Sequence, residues 1–116
     1  MVFDVVRSRA SDRDLDLLFD HLVEVHQALG DPLAEAFERA AARVRAVETD
    51  MERLGHAPRQ GTLREDLRPG LRQVTRNRAV FYFELEEGRE ELRVLAVFFG
   101  GQDHLARMLA RLGGAA

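Results

Sequence analysis

The sequence predicts an α+β fold: an N-terminal strand, an antiparallel helical hairpin packed on a small antiparallel three-stranded meander, and a short C-terminal helix. Three observations predict it. Apolar residues recur at three- and four-residue steps between Leu15 and Leu54, the period of a helix face. Gly30-Asp31-Pro32 interrupts that pattern so briefly that the two helices must run antiparallel. Beyond them, Val80-Phe81-Tyr82-Phe83 and Val94-Leu95-Ala96-Val97-Phe98-Phe99 are apolar runs of strand length, separated by turn residues.

Each element follows in order. Val2 to Arg7, β-branched and aromatic with Asp4 as its polar interruption, predicts a strand that joins the sheet edge. Ser11 or Asp12 is the expected cap of the first helix, whose apolar face is Leu15, Leu18, Phe19, Leu22, Val25 and Leu29. Gly30 ends it. Asp31 as N-cap and Pro32 at the first helical position open the second helix. Its face runs Leu33, Ala36, Phe37, Ala40, Ala41, Val44, Val47, Met51 and Leu54, with Gly55 as the stop and Pro58 just beyond. The small residues Ala36, Ala40 and Ala41 allow close helix approach. Residues 56–70 lack periodicity, and a connection of that length is often functional. Pro69-Gly70 predicts a turn, Leu71–Thr75 a short strand, Asn77-Arg78 a turn, Ala79–Leu85 a strand, Glu86-Glu87-Gly88-Arg89 a hairpin turn and Leu92–Phe99 a strand. Gly100-Gly101 breaks that strand. Asp103 caps a last helix bearing Leu105, Met108, Leu109 and Leu112, and Gly113–Ala116 is expected to fray.

The 116 residues fit one domain, 1–116, long enough to bury a core. A hydrophobic content of 46% with 32% charged residues is that of an ordered chain. The absence of cysteine excludes disulfides, thiolate metal sites and thiol nucleophiles. No apolar run reaches bilayer-spanning length, and Met1-Val-Phe-Asp-Val-Val-Arg is too short and charged for a signal peptide, so the expected compartment is the cytoplasm. His21 and His26, five apart on a helix, are poorly spaced for one metal, and no glycine-rich phosphate loop is present. Neither metal nor cofactor is expected.

All seventeen basic residues are arginine. Seven of them (Arg53, Arg59, Arg64, Arg68, Arg72, Arg76, Arg78) fall between Arg53 and Arg78 against two acids, Glu65 and Asp66, while the whole chain carries −3. A basic block in an acidic chain suggests an anionic partner. The arginines lie on a loop and short strands, not on a helix or ribbon that could enter a groove, so direct nucleic-acid binding is not expected. The two long strands are apolar on both sides, and one short C-terminal helix is available for the second face. We expect part of that face to stand open to a partner segment.

The chain also resembles a known family. Ser8-Arg9-Ala10-x-x-x-Asp14-Leu15 is similar to the strand-to-helix opening of ParE-type toxins. Pro69-Gly70-Leu71-Arg72 followed by Val80-Phe81-Tyr82 resembles their centre, and Arg93-Val94-Leu95 through Asp103 their closing strand and tail. The resemblance implies the RelE/ParE superfamily of type II toxin–antitoxin systems. It implies a cognate antitoxin whose C-terminal segment wraps the toxin, a role in plasmid stabilisation, and for ParE-type members a poisoned DNA gyrase in place of nuclease activity. RelE-type members cut mRNA on the ribosome. For that alternative the candidate residues are Arg72, Arg76, Arg78, Tyr82, Arg93 and His104, although no lysine is available as a base and arginine does not readily deprotonate. Tyr82 is otherwise a core aromatic with its hydroxyl at the rim, and His104 is expected on the helix surface. Arg72, Arg78, Tyr82, Arg93, Val97 and Phe98 are the expected antitoxin contacts, with guanidinium forks at the rim of an apolar groove. The chain departs from the family at Gly100-Gly101-Gln102, where a more basic tail is common, and at Phe98-Phe99, where a strand-end histidine is common. A third reading is a family member that keeps the groove without toxicity.

Overall fold

The computed structural model describes residues 2–99 and 103–113. Its elements are β1 (Asp4–Arg7), α1 (Arg9–Ala28), α2 (Leu33–Arg53), a 3-10 turn (Leu54–His56), β2 (Thr62–Leu63), β3 (Arg72–Arg76), β4 (Ala79–Glu86), a second 3-10 turn (Glu87–Arg89), β5 (Glu91–Phe99) and α3 (His104–Gly113). The α+β class, the helical hairpin, the meander and the edge position of the first strand all match the reading of the sequence. The expected break at Gly100-Gly101 and the fraying of 114–116 lie outside the described residues, and Gly113 is still helical.

The cap of α1 is Ser8, not Ser11 or Asp12. Ser8 Oγ accepts the Ser11 amide at 3.0 Å. Ser11 is instead fully buried, because it continues the inward stripe of Leu15, Leu18 and Leu22 one turn earlier. Gly30, at φ +102°, makes the left-handed turn that ends α1. Asp31 does not cap α2; Pro32 occupies that position and no side chain bonds there. The Asp31 amide instead closes α1 on His26 O at 3.0 Å, and its carboxylate lies 3.3 Å from Arg39 Nε and 3.6 Å from His26 Nδ1. Around this turn Leu29, Leu33 and Phe37 are exposed, although their spacing places them on the apolar stripes. They sit at the closed end of the hairpin, beyond the last core residues Val23 and Ala36.

The sheet has five strands in the order β1-β5-β4-β3-β2. β3, β4 and β5 form the antiparallel meander, and β1 pairs with β5 in parallel. β2 is an addition that the sequence does not announce: two exposed residues, Thr62 and Leu63, pair with Gln73 and Arg72 inside the non-periodic segment. Gly55 ties the hairpin to β1. Its carbonyl accepts the Phe3 amide at 2.8 Å, and a Cβ there would meet Phe3 O at 2.2 Å, so only glycine fits.

The hairpin covers one face of the sheet. Leu15, Leu18 and Leu22 of α1 and Val47 and Met51 of α2 enclose Val74, Phe81, Phe83, Leu92 and Val94 in one apolar cluster. Each such side chain contributes about 1.5–3 kcal/mol by leaving water. The other face carries Leu71, Val80, Tyr82, Ala96 and Phe98, and it is closed: Met108 of α3 packs on it, with Leu67, Leu95 and Leu112 at its margin. This corrects the expected open face. Tyr82 is 0% and Phe98 5% exposed, because α3 and the 64–71 turn together supply the cover that α3 alone would not.

Candidate functional site

The α3 side carries several polar contacts built across elements. A register shift between Tyr82 and Phe83 makes Leu95 an extra residue opposite β4, so both Leu95 and Ala96 face α3. Asp14, buried on α1, reaches across the sheet edge. Its Oδ2 accepts the Val97 amide at 2.9 Å and Arg111 Nη1 at 2.7 Å, while Oδ1 accepts Arg111 Nη2 at 2.8 Å. The bidentate bond to Asp14 raises the Arg111 guanidinium pKa further above its usual value. Arg111 also donates to Leu95 O at 3.1 Å and lies 5.2 Å from the Phe98 ring centre. One arginine therefore clips α3 to α1 and to β5. Asp103 caps α3 through the Ala106 amide at 3.2 Å, as its position before the helix implies.

At the start of α3, His104 Nδ1 lies 2.8 Å from the Tyr82 hydroxyl. His104 is half-buried over that phenol, not on the helix surface. Burial pushes the Tyr82 phenol above its ordinary value, the charged form being the one disfavoured. Two clefts flank α3. One, of about 390 Å³, lies between α1 and α3, with Asp14, Val97 and Phe98 behind and Arg107 and Arg111 at its mouth. The other, of about 290 Å³, has Leu95, Met108 and Leu112 as its apolar floor and Arg68 and Arg111 on its rim. Leu109 of α3 and Leu17 of α1 stand 51% and 63% exposed.

The structure divides the residues that the sequence singles out. Tyr82, Arg93, Phe98 and His104 share the α3 face. Arg72 and Arg76 alternate with Leu71 and Gln73 and lie on the hairpin face, on the same side as Val74. There Arg72 Nη1 donates to Arg59 O at 2.7 Å and Arg76 Nη2 to Gln60 Oε1 at 2.5 Å. Val97 belongs to the hairpin-side cluster, and Arg78 sits in the β3–β4 turn at the end of the sheet. No single cluster of Arg72, Arg76, Tyr82 and Arg93 exists.

Most of the basic block is consumed within the chain. Arg59 pairs with Glu87 at 2.6 Å, Arg64 with Asp66 at 2.8 Å and Arg68 with Glu84 at 2.9 Å, while Arg64 also donates to Gln73. These arginines lace the 57–70 segment to the sheet. The bond from Arg64 lowers the Asp66 carboxyl below its usual range. Asp14 and Arg111 form an ion pair that residue-by-residue reading does not find; they lie 97 positions apart, and the buried polar residue within the α1 apolar stripe is the available signal.

In this geometry the chain aligns with a chain of the chromosomal ParDE TA system from P. aeruginosa, with TM-score 0.65 and 21% identity over 84% of this chain and 96% of that one. It also aligns with a chain of the toxin–antitoxin complex RelBE2 from Mycobacterium tuberculosis, with TM-score 0.53 and 18% identity over 85% and 99%. The chain shares the fold of these two toxin–antitoxin chains. No family model and no curated protein matches the chain. Among the described residues, the chain has no group of side chains suited to hold a metal ion, and no helix long and apolar enough to cross a membrane.

Proposed function

We propose that this chain is the toxin component of a type II toxin–antitoxin system, neutralised by a cognate antitoxin and acting by binding, with DNA gyrase as the target. The observation that carries the reading is the fold match over nearly the whole of both chains to proteins taken from toxin–antitoxin assemblies. The antitoxin surface is α3 with its two flanking clefts: apolar floors, exposed Leu17 and Leu109, and a rim of Arg68, Arg107 and Arg111 suit an acidic amphipathic segment. Phe98 and Val97 contribute as the back wall of the larger cleft, and Arg93 lies on the same face. The test is to induce the chain alone in a bacterial host. Growth should stop, and co-expression of the protein encoded beside it should restore growth; unimpaired growth counts against the proposal. Extracts should show lost supercoiling without new mRNA ends.

One observation favours a RelE-like ribosome-dependent mRNA endonuclease as the second reading: the 2.8 Å Tyr82–His104 contact joins an acid–base pair on one face. The complete burial of Tyr82 and the placement of Arg72 and Arg76 on the opposite face favour the binder. New mRNA ends on ribosomes that vanish in Tyr82→Phe would reverse that choice.

A further inference from the structure

The β3–β4 hairpin closes through a two-residue loop, Asn77-Arg78, between the paired residues Arg76 and Ala79. Both loop residues have positive φ, 49° and 69°. That is the geometry in which a glycine is preferred at the second position, because a Cβ there is strained. Here the second position holds an arginine, and its side chain lines a cleft of about 300 Å³ together with Arg43, Asn77 and Phe99. Arg43 comes from α2. It donates to Asn77 O and lies 5.3 Å from the Phe99 ring centre, so it is held in place without a carboxylate. Asn77 Nδ2 in turn donates to Asp50 Oδ2 at 2.7 Å, and Asp50 lines the adjacent cleft with Arg53 and Arg76.

Two of the other clefts include a carboxylate in their lining, Asp14 in one and Asp50 in the other, and this cleft has none. Arg68 and Arg111, beside α3, each have an acidic partner. Among the described residues, neither Arg43 nor Arg78 is paired with an acid. Two guanidinium groups therefore face one concavity uncompensated, in a chain of net charge −3, and one of them occupies a backbone position that would relax with glycine.

We infer that the Arg43–Arg78 cleft at the end of the sheet is a binding site for a single oxyanion group, of the phosphate or carboxylate class. The arginine forks supply charge-assisted hydrogen bonds to its oxygens. Arg59, Arg64, Arg68, Arg72 and Arg76 of the basic block are tied down internally, so the site takes one discrete anion and not a polyanion backbone. This inference does not depend on the toxin reading.

The test is a titration of the purified chain with sodium phosphate and, separately, sodium acetate at constant ionic strength, following the arginine Nε–Hε resonances by NMR. Wild type should shift and saturate at Arg43 and Arg78 with one or both anions; saturation by phosphate alone assigns the phosphate class, by acetate alone the carboxylate class. Arg78→Gly should weaken binding about tenfold, the loss of one charge-assisted interaction, and should raise the melting temperature because glycine adopts the turn without strain. Arg43→Ala should weaken binding similarly. Shifts that never saturate, or that are equal in wild type and Arg78→Gly, overturn the site. A lower melting temperature in Arg78→Gly with binding retained assigns Arg78 a structural role and also overturns it.

Discussion

On the hairpin side of the sheet, seventeen buried apolar residues among those described form one cluster; on the α3 side there are six, and Met108 is the one buried residue that α3 supplies. Apolar burial therefore holds the first interface, while the second leans on directed contacts: the Asp14–Arg111 clip, the Tyr82–His104 contact and the Asp103 cap. A ten-residue helix is marginal without such anchoring. The difference teaches where fold and recognition are separated. The hairpin face holds most of the buried core, and the α3 face carries two clefts with an arginine rim, the surface proposed above for a partner.

The largest expected effect lies on the hairpin side. Phe81→Ala opens a cavity at a fully buried position and should cost about 3–5 kcal/mol in denaturant unfolding. A cost below about 1 kcal/mol would break the comparison at its stronger half. Arg111→Ala should cost less, about 2 kcal/mol, because it leaves the buried Asp14 carboxylate with the Val97 amide as its remaining bond. Its signature should be local: the NMR signals of α3 shift while those of Phe81 and Phe83 hold.

Alkaline pH offers a smaller and more selective probe. Burial raises Tyr82 above its ordinary value of 10.0. Above pH 10 the unfolded chain loses this proton while the folded chain keeps it, so the folded state binds more protons and stability falls as pH rises toward the raised value. Below pH 10 the contribution is complete. Wild type should show this decline in unfolding free energy, and Tyr82→Phe should lack the component that this proton contributes. The smallest effect is at the surface: Arg68→Ala removes an exposed ion pair to Glu84 and should cost less than about 1 kcal/mol.

What the sequence could reveal follows from the range of each interaction. The helices were legible because Leu15, Leu18 and Leu22, or Ala36, Ala40, Val47 and Met51, state their period within a few turns. The meander was legible because apolar runs and turn residues alternate from Leu71 to Phe99. β2 was not, since two exposed residues have no period. The closed second face was not legible either: its cover includes Leu67 from a segment without periodicity, so counting helices understates it. The arginine block misled for the same reason. The partners of Arg59 and Arg68, Glu87 and Glu84, lie 28 and 16 residues away, and only the folded chain brings them together.

Native-state hydrogen exchange tests the two-sided account most directly. The amides of α3 from Arg107 to Arg111 should exchange through a local opening of lower free energy than global unfolding, while the Phe81 and Phe83 amides exchange only with global unfolding. Exchange of the α3 amides at the global free energy would show that both faces belong to one cooperative unit and would contradict the separation of stability from recognition.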